Sequence, residues 1–161
     1  MMRLETRALR ILPRAILALV GILAYGELAA AHDVALVTSK NGPVKMMASA
    51  DLAKMIKSTH KWPDGHGLIV VLTDPSSVEM RIVAQKLLSL TRDEFKQLIA
   101  VTNKNKLTFW VVASDEEALN VLQSNKSAIG LVNVYSINSN VDVLKINGRL
   151  PLEPGYVLHS Q

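Results

Sequence analysis

The stretch LIVVLTDPSSVEMR, Leu68–Arg81, passes from an uninterrupted apolar run through a polar loop to the start of a helix. An apolar run without alternation is typical of a strand that is covered on both faces. Ser76 and Glu79 then form the pattern of a capping box, which marks the beginning of a helix. The stretch therefore predicts a strand, a loop and a helix in succession, as in an α/β domain.

The same succession recurs along the chain. Capping-box patterns at Thr91…Glu94 and Ser114…Glu117, and a helix start at Ser49, fall between apolar runs. Strands that alternate with helices indicate a three-layer α/β/α domain with a mixed, largely parallel sheet of about five strands. The five runs predicted as strands are Val34–Val37, Leu68–Leu72, Leu107–Val112, Ala128–Val132 and Val141–Ile146.

The first 31 residues have the layout of a secretory signal peptide. Four arginines precede an apolar run at residues 15–24, and small residues follow at 28–31. This run is shorter than the about 20 residues that a membrane span needs, and a retained N-terminal anchor is the alternative. We therefore expect a signal peptide at residues 1–31, a domain at 32–148, an irregular tail at 149–161, and a periplasmic location.

The charge of the chain bears on whether it binds nucleic acid. The whole chain has a formal charge of +4, but residues 1–31 hold four arginines and two glutamates, so the remainder carries +2. Because no dense Lys/Arg stripe remains, we expect no nucleic-acid binding. The chain has no cysteine, so an exported domain would depend on a packed core rather than on disulfides.

No familiar catalytic motif occurs in the sequence. There is no thiol nucleophile and no GxSxG, Walker, GxGxxG or HExxH pattern. A Ser-His-Asp triad stays open at this point, because its members need to meet only in the fold. His60 and His66 flank a turn, but no tight His/Asp cluster supports a metal site. We expect no enzymatic activity, no cofactor and no metal.

The loop in Thr73–Arg81 has two interpretations. The first amides of a helix lack partners and the helix dipole is positive there, so Ser76, Ser77 and Arg81 would suit an anion. Glu79, however, brings a negative charge to the same place, and together with Ser76 it would cap the helix. The residues alone favour self-capping.

Four segments follow one another in a recognisable order. They are DVALVTSKNGPV (Asp33–Val44), SADLAKMIKSTHKWPDGHGLIVVLTD (Ser49–Asp74), the TDPSSVEMR loop and SNKSAIGLVNV (Ser124–Val134). This ordered set resembles the small phosphate-binding-protein-like domain family, exported relatives of the substrate-binding protein of ABC phosphate transporters. The resemblance implies a single lobe of the type II periplasmic-binding-protein fold.

The resemblance also implies a function. It suggests a non-catalytic solute-binding protein that holds phosphate or a similar oxyanion and works with a membrane transporter or another envelope protein. Carried over by position, the ligand-binding residues are Thr38 and Ser39 after the first strand, Ser76 and Ser77 at the helix start, and Arg81 one turn further. The second hypothesis is a ligand-free accessory or interaction subunit of an envelope transport or signalling assembly that retains the fold.

Overall fold

The computed structural model describes residues 32–160, so the predicted signal peptide lies outside the described residues. None of the helices within this range is both long and apolar enough to cross a membrane. The strands are β1 (Val34–Ser39), β2 (Met46–Met47), β3 (Ile69–Leu72), β4 (Phe109–Val111), β5 (Ala128–Asn133), β6 (Val141–Val143) and β7 (Lys145–Ile146). The α-helices are α1 (Ser49–Lys54), α2 (Val78–Ile82), α3 (Arg92–Asn105) and α4 (Asp115–Ser124).

Short non-α segments extend two of these helices. A π-helical turn at Met55–Thr59 continues α1, another at Val83–Leu87 continues α2, and a 3₁₀ turn at Val134–Ser136 follows β5. The run predicted as one strand at Val141–Ile146 is divided into two strands, because its first part, β6, pairs with β1 and its last part, β7, pairs with β2.

Five strands form one sheet in the order β4-β3-β5-β1-β6. β3 is parallel to β4 and to β5, whereas β1 is antiparallel to both of its neighbours, β5 and β6. Four of the five strands therefore point the same way, which confirms the predicted mixed, largely parallel sheet. β2 and β7 form a separate parallel pair.

Helices cover both faces of the sheet, as a three-layer domain requires. On one face α1, α2 and α3 enclose a core that includes Leu52, Met80 and Phe95. On the other face α4 packs through Ala118, Leu119 and Leu122. A Cβ atom at Gly130, in the middle of β5, would lie 2.5 Å from Leu122 Cδ1, so glycine at this position lets α4 lie directly on the sheet.

The register defines one edge of the sheet, which we call the carboxyl edge. Here β3, β4 and β5 end and the antiparallel β1 begins, since Leu72 pairs with Val111 and with Leu131, and Val34 pairs with Asn133. The loops that follow three parallel strands therefore share this edge with the first residues of β1.

The C-terminal tail has irregular backbone but belongs to the packed domain. Tyr156 and Leu158 are buried in the core under α1, α2 and α3. The amide of Val34 donates to the carbonyl of Leu158 at 3.1 Å, so the tail lies beside the start of β1. Burial of the Tyr156 phenol raises its pKa.

Candidate functional site

Polar residues from several loops collect at the carboxyl edge. Ligands of open α/β sheets bind in the crevice outside the carboxyl ends of the strands, so this edge is the first place to look for a site. The residues are Ser76 and Ser77 after β3, Ser114 and Asp115 after β4, Asn133 at the end of β5, and His32 and Asp33 before β1.

The loop between β3 and α2 closes on its own aspartate. The Ser76 amide donates to Asp74 Oδ1 at 2.8 Å, and the Ser77 amide donates to the Asp74 carbonyl at 2.9 Å. This turn places Ser77, not Ser76, at the N-cap, where its Oγ accepts from the Met80 amide at 3.2 Å. The predicted Ser76…Glu79 capping box is therefore wrong, because the Asx turn of Asp74 shifts the helix start by one residue.

The other two predicted boxes form to different degrees. At α3, Thr91 Oγ1 accepts from the Glu94 amide and Glu94 Oε2 accepts from the Thr91 amide, which completes the box. At α4, Ser114 Oγ accepts from the Glu117 amide, but the Glu117 carboxylate reaches the amide of Ala113 instead.

Arg81 lies on the same side of the helix as the cap. Its amide donates to the Ser77 carbonyl at 3.1 Å, and residues four apart on a helix are neighbours on one face. Its side chain is exposed and forms no ion pair with any residue between 32 and 160. Arg81 therefore stands one helical turn beyond the Ser77 cap on the same face, and Ser76 directly precedes that cap.

The Glu79 side chain forms a hydrogen bond with His32, which lies outside the loop between β3 and α2. His32 Nδ1 lies 2.7 Å from Glu79 Oε1. Partial burial acts to raise the pKa of Glu79, but the hydrogen bond with His32, helped by contacts with its own amide and with Asn133, outweighs it. The pKa of Glu79 therefore lies below its ordinary value of 4.5, and the group is a carboxylate at neutral pH.

Asp115 joins the other two loops of the edge. Its Oδ2 accepts from the Asn133 amide at 2.9 Å and from the Ser136 hydroxyl at 2.7 Å. Sequence reasoning missed Asp115 and Asn133. Both stand at or just beyond the end of an apolar run, and polar residues at the carboxyl ends of neighbouring parallel strands would have been the signal to look for.

Thr38 and Ser39 lie at the opposite end of the sheet from Ser76, Ser77 and Arg81. Thr38 pairs with Ile129 near the start of β5, because β1 runs against its neighbours. Both side chains are only 3% exposed, and the Ser39 hydroxyl is buried without a hydrogen-bond partner among the described residues. The structure thus brings three of the five predicted ligand residues together and leaves these two apart from them.

An aspartate, a histidine and a serine of the described residues meet beside the start of β1. His159 Nδ1 and Ser160 Oγ both contact Asp33 Oδ1, at 2.8 and 3.1 Å. A catalytic triad needs the serine hydroxyl on the histidine, whereas this serine is bonded to the carboxylate. No group of three or more histidine, aspartate or glutamate side chains in residues 32–160 is placed to hold a metal ion.

The layers and topology define a lobe of the type II periplasmic-binding-protein fold, which confirms the fold expected from the resemblance. No model of a known protein family matches the chain, and no curated protein matches it in sequence. Solved structures do match in fold.

Three of these structures share the fold of this chain, and the names of two of them refer to phosphate transport. PstS from Borrelia burgdorferi has a TM-score of 0.60 and 15% identity over 80% of this chain and 55% of its own. The ABC-type phosphate transport receptor from Vibrio cholerae has a TM-score of 0.56 and 19% identity over 79% and 53%. The protein assigned as a phosphate ABC transporter substrate-binding protein in Clostridium perfringens, solved with bound phosphate, has a TM-score of 0.58 and 18% identity over 72% and 45%. At these identities the likeness concerns the fold, and this chain spans about half the length of the structures it matches.

Proposed function

We propose that the chain is a non-catalytic solute-binding domain that binds phosphate or a similar tetrahedral oxyanion at the start of α2. The observation that carries the proposal is the position of Ser76, Ser77 and Arg81 together after the carboxyl end of the interior strand β3. The fold is shared with proteins whose names describe phosphate binding and phosphate transport.

The chemistry of the loop suits an oxyanion. The Ser76 and Ser77 hydroxyls are donors, and Ser77 keeps its proton free while its oxygen accepts from Met80. The Arg81 guanidinium presents paired N–H groups whose geometry matches carboxylate and phosphate oxygens. An anion at this place also meets the positive end of the helix dipole.

The Asp74 carboxylate is the competitor within the loop. It is exposed and accepts from the Ser76 amide at 2.8 Å, which is a position that a bound oxyanion would share. Binding requires the ligand to take over this amide against the negative charge of Asp74. We therefore expect modest affinity from the isolated domain.

We also propose that the chain is exported and that its partner is a membrane transporter or another envelope protein. The signal-peptide pattern in residues 1–31 supports export. The anion site lies at an open edge, and a second wall from a partner would exclude water and strengthen the hydrogen bonds to the anion.

Paired arginine variants test the proposal. Phosphate binding is measured by titration calorimetry at low salt for the wild type, for Arg81→Ala, and for Arg92→Ala. Arg92 is an exposed arginine in the first turn of α3, so it controls for the loss of one positive charge. We expect Arg81→Ala to weaken binding roughly 10- to 100-fold, because a hydrogen bond to a charged group is lost, and Arg92→Ala to bind like the wild type.

Wild-type protein that shows neither heat nor thermal stabilisation in millimolar phosphate would contradict the proposal. The hypothesis of a ligand-free accessory subunit would then take its place.

A further inference from the structure

A concave site lies at the end of the sheet opposite the carboxyl edge. It is a pocket of about 660 Å³, bounded by β2, by α1 with its π-helical continuation, and by the turn at Lys61–Gly65. β2 follows the end of β1 and the turn precedes the start of β3, which places the pocket away from Ser76, Ser77 and Arg81. Its volume falls within the range of small-molecule sites.

Core side chains form the floor of this pocket. Met47, Met55 and Trp62 line it, and each is almost fully buried. Met46 also lines the pocket and is 59% exposed, so its apolar side chain is accessible to a ligand. Methionines are flexible and polarisable, so they adapt to apolar ligands of irregular shape.

Hydrogen bonds hold the walls in place. Trp62 Nε1 donates to the Ser127 carbonyl at 2.9 Å, and the Gly65 amide donates to the Trp62 carbonyl at 2.9 Å. On the other side Met47 pairs with Ile146, and the Asn147 amide donates to the Met47 carbonyl at 3.0 Å. The pocket is therefore formed before any ligand arrives.

The rim carries an excess of positive charge. Lys54 and Lys61 line the pocket, both are exposed, and neither forms an ion pair within the described part of the chain. Asp51 is the one acidic residue in the lining. An apolar floor beneath two unpaired lysines is complementary to a molecule with an apolar body and an anionic head.

We propose that this pocket binds a small amphipathic organic anion, with an alkyl or aryl body on the Met47, Met55 and Trp62 floor and a carboxylate at Lys54 and Lys61. The site is separate from the proposed oxyanion site and shares no residue with it. A test of this proposal is therefore independent of whether the chain binds phosphate.

Trp62 provides a direct signal for the test. The chain has two tryptophans, so Trp110→Phe leaves Trp62 as the only one. Its fluorescence is followed during titration with decanoate, below the concentration at which micelles form, and with decyltrimethylammonium as a cation of equal chain length. We expect a saturable change with decanoate, binding about fourfold weaker for each methylene removed from the chain, and much weaker binding of the cation.

Charge variants in the Trp110→Phe background complete the test. Lys54→Glu with Lys61→Glu should weaken decanoate binding by more than about tenfold, whereas Lys96→Glu, on the exposed face of α3, should not. The proposal is overturned by a linear, non-saturating response, by equal affinity for decanoate and the cation, or by equal effects of the pocket and control variants. An intact phosphate response in the same protein would show that such a failure concerns this pocket alone.

Discussion

His32 Nδ1 lies 2.7 Å from Glu79 Oε1, and this contact joins the segment before β1 to the first turn of α2. It removes the Glu79 side chain from the capping role that the sequence pattern suggests. It also keeps the glutamate at the carboxyl edge without making it part of the β3–α2 turn.

The contact predicts a pH-dependent contribution to stability. The pKa of Glu79 is lowered in the folded state, so its stabilisation is complete above its ordinary value of 4.5 and is lost as the pH falls through the folded value. We expect Glu79→Gln to lower the free energy of unfolding by about 1 kcal/mol at neutral pH, and to match the wild type once the pH is below the folded pKa. Urea denaturation across this range measures the difference, and an equal difference at every pH would contradict the assignment.

The position of the N-cap predicts unequal effects of two neighbouring serines. Ser77 Oγ accepts from the Met80 amide, whereas the Ser76 amide is held by Asp74. Ser77→Ala should cost about 0.5–2 kcal/mol of stability, and Ser76→Ala should cost much less. Chemical denaturation of the two variants decides this, and a larger loss for Ser76→Ala would restore the capping box read from the sequence.

The competing carboxylate predicts a gain of function. Asp74→Asn keeps an oxygen that can accept from the Ser76 amide and removes the negative charge beside the proposed anion. Phosphate affinity should rise several-fold, since a like charge nearby disfavours an anion. Asp93→Asn, at an exposed position of α3, is the matched control. Unchanged or weaker phosphate binding in Asp74→Asn would place the anion elsewhere.

Two leucines of the C-terminal tail test whether it belongs to the core. Leu158 is 0% exposed and Leu152 is 54% exposed. Leu158→Ala should destabilise the domain by about 2–5 kcal/mol, while Leu152→Ala should stay within about 0.5 kcal/mol of the wild type. Similar small losses for both would mean that the tail is an independent appendage.

The strands and most helix starts could be predicted from the sequence. Strands covered on both faces are continuous apolar runs, and hydroxyl residues that cap helices mark the helix starts. The complete capping box of Thr91 and Glu94 confirms the predicted start of α3. The direction of each strand in the sheet could not be predicted in this way. An apolar run such as Val34–Val37 has the same composition whether it runs with or against its neighbours, so the antiparallel β1 and the distance of Thr38 from Ser76 were not predictable.

Hydrogen bonds between residues that are distant in sequence could not be predicted either. Glu79 meets His32 across 47 positions, and Asp33 binds Ser160 across 127. From the local sequence, the only partner expected for the Glu79 side chain is an amide at the start of its own helix. The sequence therefore favoured the capping box. Asp74, only two residues before Ser76, gave a local signal that was overlooked: an aspartate before a helix commonly accepts from the amide two residues on.

The most direct test of the proposed oxyanion site is amide NMR of the uniformly ¹⁵N-labelled protein during titration with phosphate at low salt. The account predicts saturable shifts centred on Ser76, Ser77 and Arg81, with Thr38 and Ser39 unmoved at the far end of β1. No shift at millimolar phosphate, or shifts centred on Thr38 and Ser39, would contradict it.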